Sequence, residues 1–388
     1  GELPVPNRSP YRALATLPEF ALHCDCPARK RPCRHVVGLA MLAAREADFF
    51  VHQPPPTWVR DHLNAPPPVS DTTTGRQAAY EQRLQAVKGG MQQCERWLLD
   101  LVHGGLAALP QLPIGQWNEM AARLTEAGAP AAANDIRETR KAANGQAGWP
   151  QETLRRLGRL YLMGRGFAAY DDLPPEAQAD LRGAAGWFED PSQPGVEQIE
   201  DSWLVLGTTH TMQGSRNIRR TWLYGRRHRR YAFTGGGQGQ GIRAPALFAG
   251  STLDAALHFA PGGWPQRSEI SSLRSVSAEG GPIPSLRSLR GARTAYGQAL
   301  SLNPWLRAFP LALAGVEAEL DGDQWILRDE EGYLMPLPKA YSYGWHLQLL
   351  SSGDGSLLFG EWNGSHLSPL TIYHEGAWLA LRVLRGQK

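Results

Sequence analysis

Four residues in the stretch CDCPARKRPCRH, Cys24, Cys26, Cys33 and His35, carry the most specific chemistry in this chain. Three of its four cysteines are here, spaced as Cys-x-Cys, six residues, then Cys-x-His. Thiolates and an imidazole at such short spacing suit one tetrahedral Zn²⁺, and Cys₃His fills all four of its positions. Buried or redox-active thiols are the competing reading. A bridge between Cys24 and Cys26 would be strained by their closeness, and a Cys33 bridge would leave an odd thiol and an unexplained histidine. His23 is a rival ligand, but alternation along an extended strand turns it away from Cys24. One structural Zn²⁺ on Cys24, Cys26, Cys33 and His35 is expected, with no open position for an attacking water.

Two elements must hold these ligands. The run Ala-Leu-His-Cys ending at Cys24 reads as a strand end, which points Cys24 and Cys26 to one side and turns Asp25 away. Tyr11–Leu17 and Glu19–Cys24 are expected to pair as the hairpin that carries them. Pro27 and Pro32 bracket the tip and narrow its conformational freedom. From His35 the pattern is helical, apolar at Val36, Leu39, Ala40 and Ala43, so Cys33 and His35 sit at a helix start. Backbone N–H groups and the positive dipole end favour a thiolate there.

The motif resembles the SWIM zinc-finger family, whose signature is Cys-x-Cys, a variable spacer and Cys-x-His on a small ββα unit. All four ligand positions match, as does the hydrophobic helix after the histidine. The rest of the chain is similar to bacterial SWIM proteins of this length, which have a helical region followed by a β-rich one. Those proteins are often encoded beside a MoxR-type AAA+ ATPase and a von Willebrand A-domain protein, so the resemblance implies these as partners. Family members usually carry residues ahead of the finger, and this chain opens on Gly1, so a longer native N-terminus is expected.

At 388 residues the chain exceeds one ordinary core. Its 42% hydrophobic and 20% charged content argue for a folded protein, and a net charge of +3 excludes nucleic-acid binding by bulk charge alone. No apolar run reaches the length of a membrane span, and no signal peptide opens the sequence. Cysteines committed to metal fit a reducing compartment, so a cytoplasmic location is expected.

The expected architecture is α+β and multidomain: a ββα zinc finger with flanking helix over 1–65, a helical bundle over 76–190, and a mainly antiparallel β region over 200–388 with a further split near 300. The finger helix is expected to end near Asp48, with a short helix over Trp58–Leu63 and an exposed linker over Pro66–Thr74. Tyr80, Leu84, Val87, Met91, Cys94, Leu98 and Leu101 recur at alternating spacings of four and three, one stripe of a long helix that Gly89 and Gly90 weaken. Shorter helices are expected over 116–127, 131–142, 151–170 and 175–188. Beyond them, extended runs alternate with Asp321-Gly322, Glu331-Gly332, Asp354-Gly355, Asn363-Gly364 and Glu375-Gly376, the punctuation of hairpins. Trp345–Leu350 is read as one of these strands.

Charge is uneven. Residues 201–300 hold 13 arginines against four acids, and 301–388 hold six basic residues against ten acids. Arg216, Arg219, Arg220, Arg226, Arg227, Arg229 and Arg230 share an acid-free stretch with Trp222, Tyr224 and Tyr231, as phosphate and base contacts on a β-ribbon would. A solvated hairpin tip explains the same letters. Arg29, Lys30, Arg31 and Arg34 form a second patch, which either balances the thiolates or contacts phosphate or an acidic partner. Gly235–Gly241 lacks the lysine of a phosphate-binding loop and reads as a flexible connection, and no catalytic signature occurs. The preferred reading is a non-enzymatic cytoplasmic scaffold or adaptor for proteins; the alternative is a nucleic-acid-binding protein using the finger and the Arg216–Arg230 hairpin.

Overall fold

The structure is a computed structural model that describes residues 2–5, 8–15, 22–26, 33–45, 56, 58–59, 72–143, 148–187, 197–213, 216–235, 247–264, 266–278, 280–351 and 355–381. The chain forms two compact units, Gly1–Ala79 and Tyr80–Lys388.

In the first unit, β1 (Glu2–Val5), β2 (Arg8–Ala15) and β3 (Leu22–Cys24) form an antiparallel sheet in chain order. The hairpin that carries the ligands is β2–β3, with Ala13 opposite Cys24, and β1 is an additional strand on its far edge. The helix α1 (Arg34–Arg45) follows Cys33. The expected end of this helix near Asp48, most of the expected Trp58–Leu63 helix, and the Pro66–Asp71 part of the expected linker lie outside the described residues. Ala13, Cys24, Cys26, Cys33 and Val36 are the buried core, with Tyr11 and Leu39 against it. Among the described residues this core is built largely of the candidate ligands, so apolar burial there contributes little by itself.

Helix α2 (Thr72–His103) begins in the last residues of the first unit, already including Thr72–Thr74 of the expected linker, and continues into the second. The helices α3 (Ile114–Glu126), α4 (Pro130–Ala142), α5 (Trp149–Ala168) and α6 (Pro175–Ala185) follow. Leu84, Val87, Met91, Cys94, Leu98 and Leu101 are buried in one core with Trp117, Leu124, Ile136, Leu160, Met163 and Phe167. Each such side chain contributes about 1.5–3 kcal/mol when fully buried. Cys94 packs there with its thiol pushed up to about 12 by burial, so it serves packing and not chemistry. Gly90 does more than weaken α2: a Cβ there would come within 2.6 Å of Ala127, so glycine lets α2 approach the end of α3.

Next, β4 (Gln198–Gln213), β5 (Arg216–Gly225), β6 (Arg230–Thr234), β7 (Thr252–Phe259) and β8 (Arg267–Ser277) close a barrel in the order β4-β5-β6-β8-β7. All pairs are antiparallel except β6–β8. The long β4 pairs β7 with its first half and β5 with its second, and its register shifts between Val205 and Gly207. This is the strand order of a five-stranded OB-type barrel. Trp203, Val205, Leu223, Leu253, Leu257 and Phe259 fill its interior.

After α7 (Leu289–Leu302) the order recurs. The strands β9 (Phe309–Ala314) and β10 (Val316–Asp321) are separated only by Gly315, at φ +64°, and act as one bent first strand. With β11 (Gln324–Asp329), β12 (Leu334–Pro336), β13 (Leu357–Trp362), β14 (Leu367–His374) and β15 (Ala377–Ala380) they form sheets ordered β10-β11-β12 and β15-β14-β13-β9. Among the described residues β12 and β14 are not paired, so this second OB-type barrel is open.

The expected strand at Trp345–Leu350 is instead part of a helix, α8 (Gly344–Ser351). Leu347 and Ser351, four residues apart, are its buried face, and the Ser351 hydroxyl accepts the Ala318 N–H at 3.1 Å. Gly344 lies so flat on the Trp325 ring that a Cβ would come within 1.8 Å of it. Strands β8 and β9 and helix α7 were not legible in the turn pattern.

The two barrels share one core, in which Leu204, Leu206, Trp222 and Tyr224 pack with Ala312, Leu357, Phe359, Leu370 and Trp378. A polar seam joins the bundle to them. Arg307 donates two hydrogen bonds to Asp135, at 2.7 and 2.6 Å, and Arg159 donates to the Trp305 carbonyl at 2.8 Å. Asp180 accepts from the Gly263 N–H at 2.8 Å and from the Asn303 amide at 2.7 Å.

Candidate functional site

The end of β3 and the start of α1 bring Cys24, Cys26, Cys33 and His35 together, with their donor atoms all within 4.8 Å of one another. The three cysteines are 2–3% exposed, and His35 is half-buried beside the Tyr11 ring at 5.6 Å. The nearest imidazole nitrogen, Nδ1, lies 3.8 Å from the Cys24 sulfur, close to the edge length of a tetrahedron of thiolate and imidazole ligands. Asp25 turns outward and accepts the Arg12 N–H at 2.7 Å, which fixes the hairpin end that presents Cys24 and Cys26. The Val37 N–H donates to the Cys33 carbonyl at 3.2 Å, so Cys33 sits at the cap of α1.

The electrostatics follow from these positions. Hydrogen bonding from the Val36 N–H, the largest effect, lowers the Cys33 thiol to about 7 against the cost of burial. Burial pushes the Cys24 thiol up to about 11. Three buried sulfurs this close cannot all ionise without a cation among them, whereas a divalent metal releases their protons and binds the thiolates. The donor set therefore fits a metal ion, with soft sulfur predominating.

Of the basic residues expected around the ligands, Arg29, Lys30 and Arg31 lie outside the described residues, and Arg34 is exposed at the first position of α1. The β5–β6 hairpin is described in more detail. Arg220 pairs with Glu361 at 3.1 Å and lies over the Phe233 ring, and Arg230 pairs with Glu197 at 2.7 Å over the Phe259 ring. Arg227 donates to the Glu200 carbonyl, and Arg226 donates to that of Gly281 at 3.3 Å. Arg219 and Arg229 are exposed, and Arg229 adopts φ +53° in the turn. The structure gives no account of the Arg216 side chain.

The aromatics expected to stack on bases are not at the surface. Trp222 and Tyr224 are 0% and 4% exposed, and Tyr231 stacks on Phe359 of the second barrel with ring centroids 6.3 Å apart. Trp222 also donates its indole N–H to Glu361 at 2.6 Å. Arg220 and Trp222 lie on the same side of β5 and share Glu361 of the second barrel, a circumstance that the spacing could not reveal.

Sequence reasoning also missed Asp201, which organises the hairpin tip. Its side chain is 1% exposed and accepts from the N–H groups of Ser202, Arg227 and His228 at 2.7, 3.0 and 2.8 Å and from His228 Nδ1 at 2.8 Å. Burial raises its pKa, but the His228 and Arg227 N–H groups outweigh this and hold the carboxyl below its usual range. The adjacent acids Glu200 and Asp201, about 25 residues before an arginine-rich turn, offered a signal too weak to pair them with it.

No curated protein matches the chain. Among solved structures, the crystal structure of the tetrameric p202 HIN2 aligns at 11% identity over 47% of this chain and 90% of that one, with a TM-score of 0.19, too low to bear on the fold. The model of a SWIM-associated four-helix bundle domain matches residues 82–185, from within α2 to the end of α6. The chain accordingly carries a SWIM-associated four-helix bundle domain over residues 82–185, preceded in sequence by a Cys₃His cluster consistent with a SWIM zinc finger.

Proposed function

We propose that this chain is a zinc-binding SWIM protein that acts as a cytoplasmic, non-enzymatic scaffold or adaptor for protein partners. By the resemblance of the finger, a MoxR-type AAA+ ATPase and a von Willebrand A-domain protein are the partners to test first. Zn²⁺ is the metal that best fits a closed set of three thiolates and an imidazole, in which it acts as a structural clip. One observation carries the preference for protein over nucleic acid: the hairpin richest in arginine and aromatic residues spends both on its own chain. Arg220, Arg227 and Arg230 are held by protein groups, and Trp222, Tyr224 and Tyr231 pack on the second barrel.

The nucleic-acid reading keeps Arg34, Arg219 and Arg229, which are exposed. Affinity capture from native cells with nuclease treatment, alongside DNA and RNA titrations over a range of salt, separates the two. A scaffold retains its partners after nuclease and binds nucleic acid no tighter than the ~10⁻⁴–10⁻⁶ M of non-specific contacts. Submicromolar binding at physiological salt, lost on charge reversal at Arg219 and Arg229, would transfer the assignment to nucleic acid.

A further inference from the structure

A groove of about 910 Å³ opens where the two barrels meet, between the start of β7, the end of β8 and the β14–β15 turn. Its size is that of a small-molecule site. The floor is built from backbone. The Phe248–Ser251 turn is pinned by the Ser251 N–H on the Phe248 carbonyl at 3.1 Å and by the Gly250 N–H on the Val205 carbonyl at 2.8 Å. Gly280 lies so close to this turn that a Cβ would come within 2.1 Å of the Gly250 oxygen, so only glycine lets the two segments meet. The Gly281 carbonyl then accepts from the Trp378 indole at 3.1 Å and from Arg226 at 3.3 Å, which places the guanidinium on the wall.

This groove offers donors and lacks acceptor side chains to meet them. Arg226 is the one charged side chain among the described residues that line it, and no carboxylate pairs with it. The acids of the adjoining cleft are engaged elsewhere: Glu200 and Asp254 act on Arg274, and Asp201 accepts from the N–H groups of Arg227 and His228. The hydroxyls of Ser202, Ser251, Ser277 and Tyr373, all lining the groove, find no hydrogen-bond partner among the described residues. Phe248 is 70% exposed, although its neighbours Leu247 and Ala249 pack against the first barrel's interior and the shared core. An exposed ring and an arginine without a counter-charge in one groove select for a flat apolar body that carries a negative head.

We infer that this groove binds a small organic oxyanion, a carboxylate or phosphate monoester carried on an aromatic ring, with Arg226 on the anion and Phe248 and Tyr373 against the ring. The serine hydroxyls supply donors for its remaining oxygens. A nucleic-acid strand does not match this chemistry, because one cation cannot follow a row of phosphates. The site is independent of the scaffold reading and does not fall with it.

The test titrates the full chain by isothermal calorimetry, at fixed ionic strength, with phenyl phosphate, benzoate, inorganic phosphate and benzyl alcohol. Probes this small bind at roughly millimolar concentration. At least one of the two ring anions should bind about tenfold more tightly than either inorganic phosphate or benzyl alcohol, and whichever is the tighter identifies the preferred head group. Arg226→Met should weaken that anion about tenfold or more, the worth of a charge-assisted hydrogen bond, whereas Arg229→Met, an exposed arginine of the same turn, should leave it unchanged. Phe248→Ser should weaken both ring anions and leave inorganic phosphate as it was. Melting temperatures guard against misfolding; should Arg226→Met melt early, Phe248→Ser alone decides. Ring anions that bind no better than benzyl alcohol, an equal loss in Arg226→Met and Arg229→Met, or undiminished binding in well-folded Arg226→Met or Phe248→Ser overturns the inference.

Discussion

Replacing Asp201 by asparagine should destabilise the β region by about 2–4 kcal/mol at pH 7. One carboxylate oxygen accepts from the Ser202 and Arg227 N–H groups and the other from the His228 N–H and ring. An amide keeps one acceptor and turns an N–H₂ donor toward two groups that are themselves donors. Hydrogen bonds to a charged acceptor contribute roughly 1.5–3 kcal/mol each, and two are lost, but the turn at Arg227 and His228 is exposed, so water recovers part of that. The sign with pH is fixed by the lowered carboxyl. Its contribution is fully present above the unfolded value near ~3.9 and is lost as pH falls through the lower folded value. Paired urea denaturation curves of wild type and Asp201→Asn at pH 7, 5 and 3 should show a constant gap at the first two and a narrower one at the third. A gap below about 0.5 kcal/mol at pH 7, or one that does not change down to pH 3, would refute the claim that this ionised carboxylate holds the hairpin.

Other consequences are open to equally direct measurement. Purified protein should contain one Zn²⁺ per chain by elemental analysis, and Cys33→Ser should lose it with little change in far-UV circular dichroism, because the bundle and barrels have cores of their own. Gly89→Ala should stabilise the bundle by about 0.5–1 kcal/mol, since nothing lies within 4 Å of the added methyl, whereas Gly90→Ala should destabilise it by about 1–3 kcal/mol through its collision with Ala127. Thermal melts that rank the two glycines the other way would contradict this packing. Burial raises Asp180 to about 6, so the stability it contributes is present below the unfolded value near ~3.9 and declines as pH rises through 6. Relative to wild type, Asp180→Asn should therefore gain stability between pH 4 and pH 7, read from paired melting temperatures.

What could be read in the sequence depended on how local its cause was. The ligand set of the finger was visible because metal geometry constrains spacing directly, and α2 was visible because one stripe of side chains faces one core. Trp345–Leu350 was misread because a short apolar run fits either period; its helical form comes from Trp325 and Ala318, about 20–30 residues earlier in the chain. Strand β8 alternates with serine and leaves most of its second half exposed, so it offered little apolar rhythm. The arginine hairpin was read in the right place as a hairpin, but its ligands are Glu361, Glu197 and Asp201, and long-range pairings of that kind leave no trace in spacing.

The shared core of the barrels also sets a problem of timing. The first barrel's last strand ends at Ser277, while the residues of later segments that share a core with Trp222 and Tyr224 lie between Ile283 and Trp378, most of them beyond Ala308. At roughly 5–20 residues per second of synthesis, an aromatic face waits about 5–20 s for its cover after the strands beneath it have left the ribosome. During that interval the nascent chain presents a ready-made sticky surface, so its yield should depend on chaperone supply and on translation speed across residues 278–378.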